Sequence, residues 1–131
     1  MGPRSAAKLA TCHPDLVKLY QNVDAVKPIT ICQGERPPAE EAAAIAAGKS
    51  KTSHSKHVMQ PSMAVDASPS PYIEDDRDGC IVLNDVVMEE ARKLGLAIRW
   101  GGAWSGTRNT PEYLAAGGLD DLDHWELHLL P

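Results

Sequence analysis

Asp121-Leu122-Asp123-His124-Trp125-Glu126-Leu127 carries two alternations at once. From His124 to Leu130 the chain reads as a strand, with Trp125, Leu127 and Leu129 on one face and His124, Glu126 and His128 on the other. A strand that is apolar on one side only fits an antiparallel sheet covered on one face. Leu96 to Trp100 alternates in the same way, and Gly101-Gly102-Ala103-Trp104-Ser105-Gly106 is a loop.

Upstream, Asn84 can cap a helix over Asp85–Leu94 that Gly95 ends, and Ile81 to Leu83 starts an element of its own. Ala67 to Gly79, with its prolines and acids, reads as an exposed loop, and Met63-Ala64-Val65-Asp66 as a short strand. Lys49 to Gln60 is polar and loop-like. Ala39 to Ala47 is a helix by its Ala and Glu content, ending at Gly48. Ile29 to Cys32 is short and β-branched, as a strand would be. Leu16, Leu19, Tyr20 and Val23 recur at helical spacing after His13-Pro14-Asp15, which predicts a helix over Pro14–Ala25. Helices segregated from short strands imply an α+β fold: a small antiparallel sheet with helices packed on one side. No repeat or linker interrupts it, so residues 1–131 are read as a single domain.

Composition narrows the function. A net charge of −5 argues against nucleic acid, whose binding needs a basic footprint, and against adhesion to an anionic surface. With no Phe, the core must rest on Leu, Ile, Val, Ala and Trp. No apolar run approaches the roughly 20 residues of a membrane span. Met1 to Ala10 has no apolar core of a signal peptide, so synthesis in the cytoplasm without a leader is expected. Cys12, Cys32 and Cys80 form no CxxC and read as small buried residues rather than a disulfide framework.

The histidines are His13, His54, His57, His124 and His128. A catalytic zinc takes three protein ligands and a water. Asp66 follows His57 across a turn at Gln60-Pro61-Ser62, and His124 comes from a distant strand, so these residues can converge on one ion. Spacing alone leaves each histidine equally readable as a surface or hydrogen-bonded residue. His13 is explained by its place before Pro14, and His128 as a surface residue of the last strand.

Ser55-Lys56-His57 with Ala64-Val65-Asp66 resembles the SxHxxGxAxD signature of the zinc D-Ala-D-Ala peptidase superfamily, of hedgehog/DD-peptidase fold. Asp121 to Leu127 resembles its DxxHfEl signature. Trp100-Gly101-Gly102-Ala103-Trp104 is similar to the WGGdW segment of phage endolysins, and Gly34-Glu35-Arg36 to the GxR of the same branch. His13-Pro14-Asp15-Leu16 resembles the start of phage L-alanyl-D-glutamate peptidases. The blocks occur in family order along nearly the whole chain. This sequence departs from the pattern in a two-residue insertion between His57 and Asp66, in Ser62 for Gly, in Ala103 for the acid, and in Trp125 for Phe. None removes a ligand.

The resemblance implies that His57, Asp66 and His124 hold one Zn²⁺. It implies that Asp121 is the catalytic acid/base, that Arg36 faces the substrate carbonyl, and that Ser55 stands beside the first ligand. Asp120 or Asp123 would replace Asp121 if the turn differed, His54 is an alternative ligand, and Arg36 could instead pair with Glu35, Glu40 or Glu41. Glu126, on the same strand face as His124, can orient that ligand. Trp100 and Trp104 line the cleft or pack in the core, and Trp104 is assigned to substrate. The function implied is a peptidoglycan endolysin hydrolysing the stem peptide at L-Ala–D-Glu, acting as a monomer on the bacterial wall after release from the cytoplasm. A D-alanyl-D-alanine carboxypeptidase or dipeptidase is the nearest alternative. A non-catalytic zinc module is the alternative from another class.

Overall fold

The computed structural model describes residues 1–36, 43, 45–46, 56–106 and 108–128. Ser55 and His54, and most of the helix expected over Ala39–Ala47, lie outside the described residues. The elements are α1 (Pro3–Leu9), α2 (Pro14–Val26), β1 (Ile29–Gln33), a 3-10 turn (Lys56–Val58), β2 (Ala64–Pro69), α3 (Arg77–Leu94), β3 (Ile98–Gly101), α4 (Pro111–Ala115) and β4 (Asp121–Leu127). The strands form one antiparallel sheet in the order β1-β2-β4-β3. This is the small antiparallel α+β architecture expected from the strand patterns.

Trp125 organises the covered face. It is fully buried, with its ring 6.5 Å from Tyr20 of α2 and stacked 6.4 Å from Trp100 of β3. Its indole N–H donates to Asn84 Oδ1 of α3 at 3.0 Å. Leu16, Leu19, Tyr20 and Val23 of α2 and Leu83 and Val87 of α3 are fully buried in the same core. Each such aliphatic side chain contributes about 1.5–3 kcal/mol by leaving water.

Three boundaries differ from the sequence reading. Helix α3 begins at Arg77, because Asp76 rather than Asn84 is its cap and accepts from the Gly79 N–H at 3.1 Å. The acids that make this segment look like a loop instead favour the positive end of a helix. Strand β2 runs on to Pro69 because β1 pairs with its far half, Ile29 opposite Pro69. Strand β4 starts at Asp121, which pairs with Gly101 across a bulge. Helices α1 and α4 lack an apolar stripe long enough to read. The α1 residue Ser5 accepts the Ile31 N–H at 3.0 Å and ties α1 to the edge strand.

One buried group in this core is unpaired. The Tyr20 hydroxyl makes no hydrogen bond among the described residues, although the side chain is fully buried. An unsatisfied buried hydroxyl costs on the order of 1–3 kcal/mol. Tyr20→Phe should therefore raise stability by about 1 kcal/mol in urea unfolding, and a clear loss of stability would show a partner for this hydroxyl.

Candidate metal centre

The register of β2 and β4 builds half of the site. Asp66 lies directly opposite His124, and Ala64 opposite Glu126. Cross-strand partners share a face, so Asp66, His124 and Glu126 stand on the face away from Trp125. His57 arrives from the 3-10 turn. The Met63 N–H donates to Lys56 O at 2.9 Å and the Arg36 N–H to His57 O at 2.7 Å, which fixes that turn against β2 and the Gly34–Arg36 loop. The longer turn after His57 is held from below. The Ser62 N–H donates to Thr11 O at 3.0 Å and the His13 N–H to Ser62 O at 2.8 Å. His13 itself caps α2, accepting from the Asp15 N–H at 3.1 Å.

Three side-chain atoms meet in a near-equilateral triangle. His57 Nε2 is 3.0 Å from Asp66 Oδ1 and 3.1 Å from His124 Nδ1, and His124 Nδ1 is 3.1 Å from Asp66 Oδ1. The remaining ring nitrogens are committed elsewhere. His57 Nδ1 donates to Gly34 O at 2.8 Å, and His124 Nε2 donates to Glu126 Oε1 at 3.0 Å. A carbonyl can only accept, and Glu126 is held as a carboxylate. Burial would raise Glu126, but hydrogen bonds from His124 and Lys56 bring it down to about 2. With these outer nitrogens donating, a neutral His57 and a neutral His124 would each turn a lone pair toward Asp66 inside the triangle. Tetrahedral ligands about 2.0–2.1 Å from a zinc ion would lie about 3.3 Å apart, close to these separations. The residues fit a cation.

Electrostatics agrees. Burial opposes charge on His124, yet hydrogen bonds to Asp66 and Glu126 outweigh it and push the imidazole up to about 10. Burial would raise Asp66 as well, but the His57 and His124 rings hold its carboxyl well below the usual range. Where no cation is bound, the site recruits a proton in its place.

Around the triangle stand others of the predicted residues that the structure describes. Asp121 Oδ2 is 3.7 Å from His124 Nδ1. Burial and then the Asp66 carboxylate raise Asp121 to about 7. Its approach depends on Gly101, since a Cβ there would lie 2.1 Å from Asp121 O and 2.6 Å from its Cβ. Asp120 is occupied elsewhere, pairing with Arg77 at 2.6 Å and accepting from Asn109 at 2.9 Å. Asp123 shares a side-chain hydrogen bond with Asp121 and also lines a cavity of about 150 Å³ beside Tyr72 and Cys80. Of the three neighbouring acids, Asp121 is the one that makes an ion-pair contact with a ring of the triangle. Arg36 Nη is 3.7 Å from Asp66 Oδ2. The Trp104 ring is 5.5 Å from that of His124, at the site, whereas Trp100 is core.

Sequence reasoning missed two contributors. Lys56 makes a 2.8 Å ion pair with Glu126, and the Gly34 carbonyl orients His57. Position is the only sequence signal for either: Lys56 adjoins the first ligand, and Gly34 opens the GxR block. A Cβ on Gly34 would sit 2.3 Å from Lys8 O and 2.5 Å from Thr11 Oγ1. Gly34→Ala must move that backbone, and with it the hydrogen bond to His57. Such outer hydrogen bonds are worth roughly 10–100-fold in metal affinity. A chelator-competition assay should show a loss in that range, and unchanged affinity would remove the Gly34 carbonyl from the site.

The sheet face thus carries a His–Asp–His group that could hold a metal ion, with a carboxylate beside it. A model of the phage L-alanyl-D-glutamate peptidase family matches residues 1–128, and the chain belongs to that family. No curated protein matches it. It is similar to the crystal structure of the Serratia marcescens L-Ala D-Glu endopeptidase ChiX, with a TM-score of 0.78 and 26% identity. That match covers 98% of this chain and 89% of the other. The chain is thus a peptidase of a peptidoglycan-degrading family. Among the described residues, no helix is long and apolar enough to cross a membrane.

Proposed function

We propose that this protein is a zinc-dependent endolysin that hydrolyses the L-Ala–D-Glu bond of the peptidoglycan stem peptide. The observation that carries the reading is the triangle of His57 Nε2, Asp66 Oδ1 and His124 Nδ1, with the other ring nitrogens hydrogen-bonded to Gly34 O and Glu126 Oε1. Two neutral imidazoles and a carboxylate suit Zn²⁺ among the divalent ions. Zinc bound there supplies a Lewis acid that polarises the scissile carbonyl and lowers the pKa of a water towards about 7.

The chain's own residues do the rest. Asp121, at the edge of the triangle, takes the proton of the attacking water and returns it to the leaving amine. The Arg36 guanidinium faces the oxygen that becomes negative as the carbonyl carbon turns tetrahedral. The Asp66 Oδ2 contact holds that guanidinium in place. Trp104 offers a flat wall beside His124 for the peptide, and Ser55 stands two residues before His57 in sequence. Glu126 fixes the His124 ring.

The family description supports the L-Ala–D-Glu bond over a D-alanyl-D-alanine bond, and Asp121 at the triangle supports catalysis over a structural ion. In the same reading the protein acts as a single-domain monomer, made in the cytoplasm and reaching the wall after release. Digesting purified peptidoglycan and sequencing the new ends tests it. New C-terminal L-Ala and N-terminal D-Glu are expected. Released D-Ala would assign the carboxypeptidase activity instead, and no cleavage would leave only a metal-binding module.

A further inference from the structure

Lys56 sits where the two histidine-bearing elements of the site meet. It precedes His57 in the 3-10 turn, and its ammonium crosses to β4, where it makes two contacts. One is the 2.8 Å pair with Glu126 Oε2, and the other a 2.6 Å hydrogen bond donated to Leu127 O. Glu126 uses its other oxygen, Oε1, to accept from His124 Nε2. The backbone of Lys56 is also anchored, its carbonyl accepting from Met63 at the head of β2. One residue therefore ties together the turn that carries His57, the start of the Asp66 strand and the carboxylate that aims His124.

A lysine in a polar stretch is ordinarily a solvated charge, and a surface ion pair is worth little. This pair is different in kind. The Lys56 and Glu126 side chains are 26% and 12% exposed, and both Glu126 oxygens are occupied. Without the ammonium, Glu126 keeps a half-buried negative charge with the His124 ring as its hydrogen-bond partner. The carboxylate is then free to rotate away, and the His124 ring loses what holds Nδ1 toward the triangle. The turn also loses its side-chain anchor on β4, so His57 Nε2 is no longer pinned at 3.1 Å from His124 Nδ1.

We infer that Lys56 is a positioning residue of the metal centre, holding both histidine ligands in register through Glu126 and the Leu127 carbonyl. It touches neither substrate nor metal. The inference rests on the zinc reading given above and goes beyond it in naming the residue that preorganises the ligand set. A hydrogen-bonded partner behind a ligand is worth roughly 10–100-fold in metal affinity, and Lys56 serves two ligands.

The test is zinc affinity by chelator competition, without substrate, on the full chain and on Lys56→Met and Lys56→Arg. Lys56→Met keeps the aliphatic stem and removes the charge. It should bind Zn²⁺ roughly 10–100-fold more weakly, and Lys56→Arg should recover most of the loss. Nitrogen NMR of the zinc-loaded proteins gives a second readout. The wild type should show His124 metallated at Nδ1 and protonated at Nε2, and Lys56→Met should show a broadened or mixed state. Thermal melts in excess chelator check that the metal-free variant folds, and Glu126→Gln provides a second break in the same chain of contacts. If Lys56→Met folds and holds zinc as tightly as wild type, or Arg fails to restore what Met loses, the positioning role is wrong. Wild-type protein that binds no zinc would instead overturn the metal reading itself.

Discussion

Asp121→Asn should keep its zinc and its fold while losing on the order of 10²–10⁴-fold in peptidoglycan hydrolysis, the usual contribution of a positioned acid/base. The amide is nearly the same size as the acid, so the close passage over Gly101 is preserved. It lacks only the ability to take a proton from water and return it to the departing amine. Asp121 lies 3.7 Å from a ligand atom but outside the triangle, so its replacement leaves the ligand set whole. The check is a paired measurement of turbidity loss on purified walls and of zinc content. Asp120→Asn is the matched control. That carboxylate is paired with Arg77 and faces away from the chemistry, so its loss should lower stability but spare most turnover. If Asp121→Asn kept wild-type rates, the base would lie elsewhere, and Asp123 would be the first residue to examine.

The second large effect is loss of the metal. Dialysis against a chelator should abolish wall hydrolysis, and one equivalent of Zn²⁺ should restore it. His124→Ala should fail to recover at that stoichiometry. Metal-free protein should remain folded, because the core around Trp125, Leu16 and Leu83 lies on the opposite face of the sheet and does not depend on the site. In the absence of a cation, His124 carries a proton that Asp66 and Glu126 stabilise, so the triangle is held by hydrogen bonds rather than collapsing. Activity that survived full chelation would show that the carboxylates work without a Lewis acid.

The sequence made the ligands legible but not how they are held. The alternation of His124–Leu130 revealed a strand with one apolar face, and signatures far apart in the chain named His57, Asp66 and His124 as a set. The register that puts Asp66 opposite His124 is a pairing across 58 positions, which no local pattern contains. Lys56 was invisible for the same reason: its partner Leu127 is 71 residues away, and lysine in a polar segment looks solvated. The early start of α3 was hidden because acidic residues signal both loops and helix N-termini, and only Asp76 capping Gly79 decides between them. The choice of Asp121 over Asp120 rested on spacing in the sequence. In the structure Arg77 and Asn109 bind Asp120, while Asp121 contacts the His124 ring. The insertion after His57 is absorbed by the Ser62 bridge to Thr11 and His13. It also places Gln60 on Glu35 at 2.7 Å, beside the loop that carries Arg36.

The central claim is that one zinc ion is held by His57, Asp66 and His124 with a fourth position open. X-ray absorption on protein loaded with one equivalent of zinc tests this most directly. About four nitrogen and oxygen ligands at about 2.0–2.1 Å are expected, with multiple-scattering features of two imidazoles. The same spectrum from His124→Ala should show one imidazole fewer. A sulfur ligand at about 2.3 Å, which would have to come from Cys12, Cys32 or Cys80, or an unchanged spectrum in His124→Ala, would contradict it.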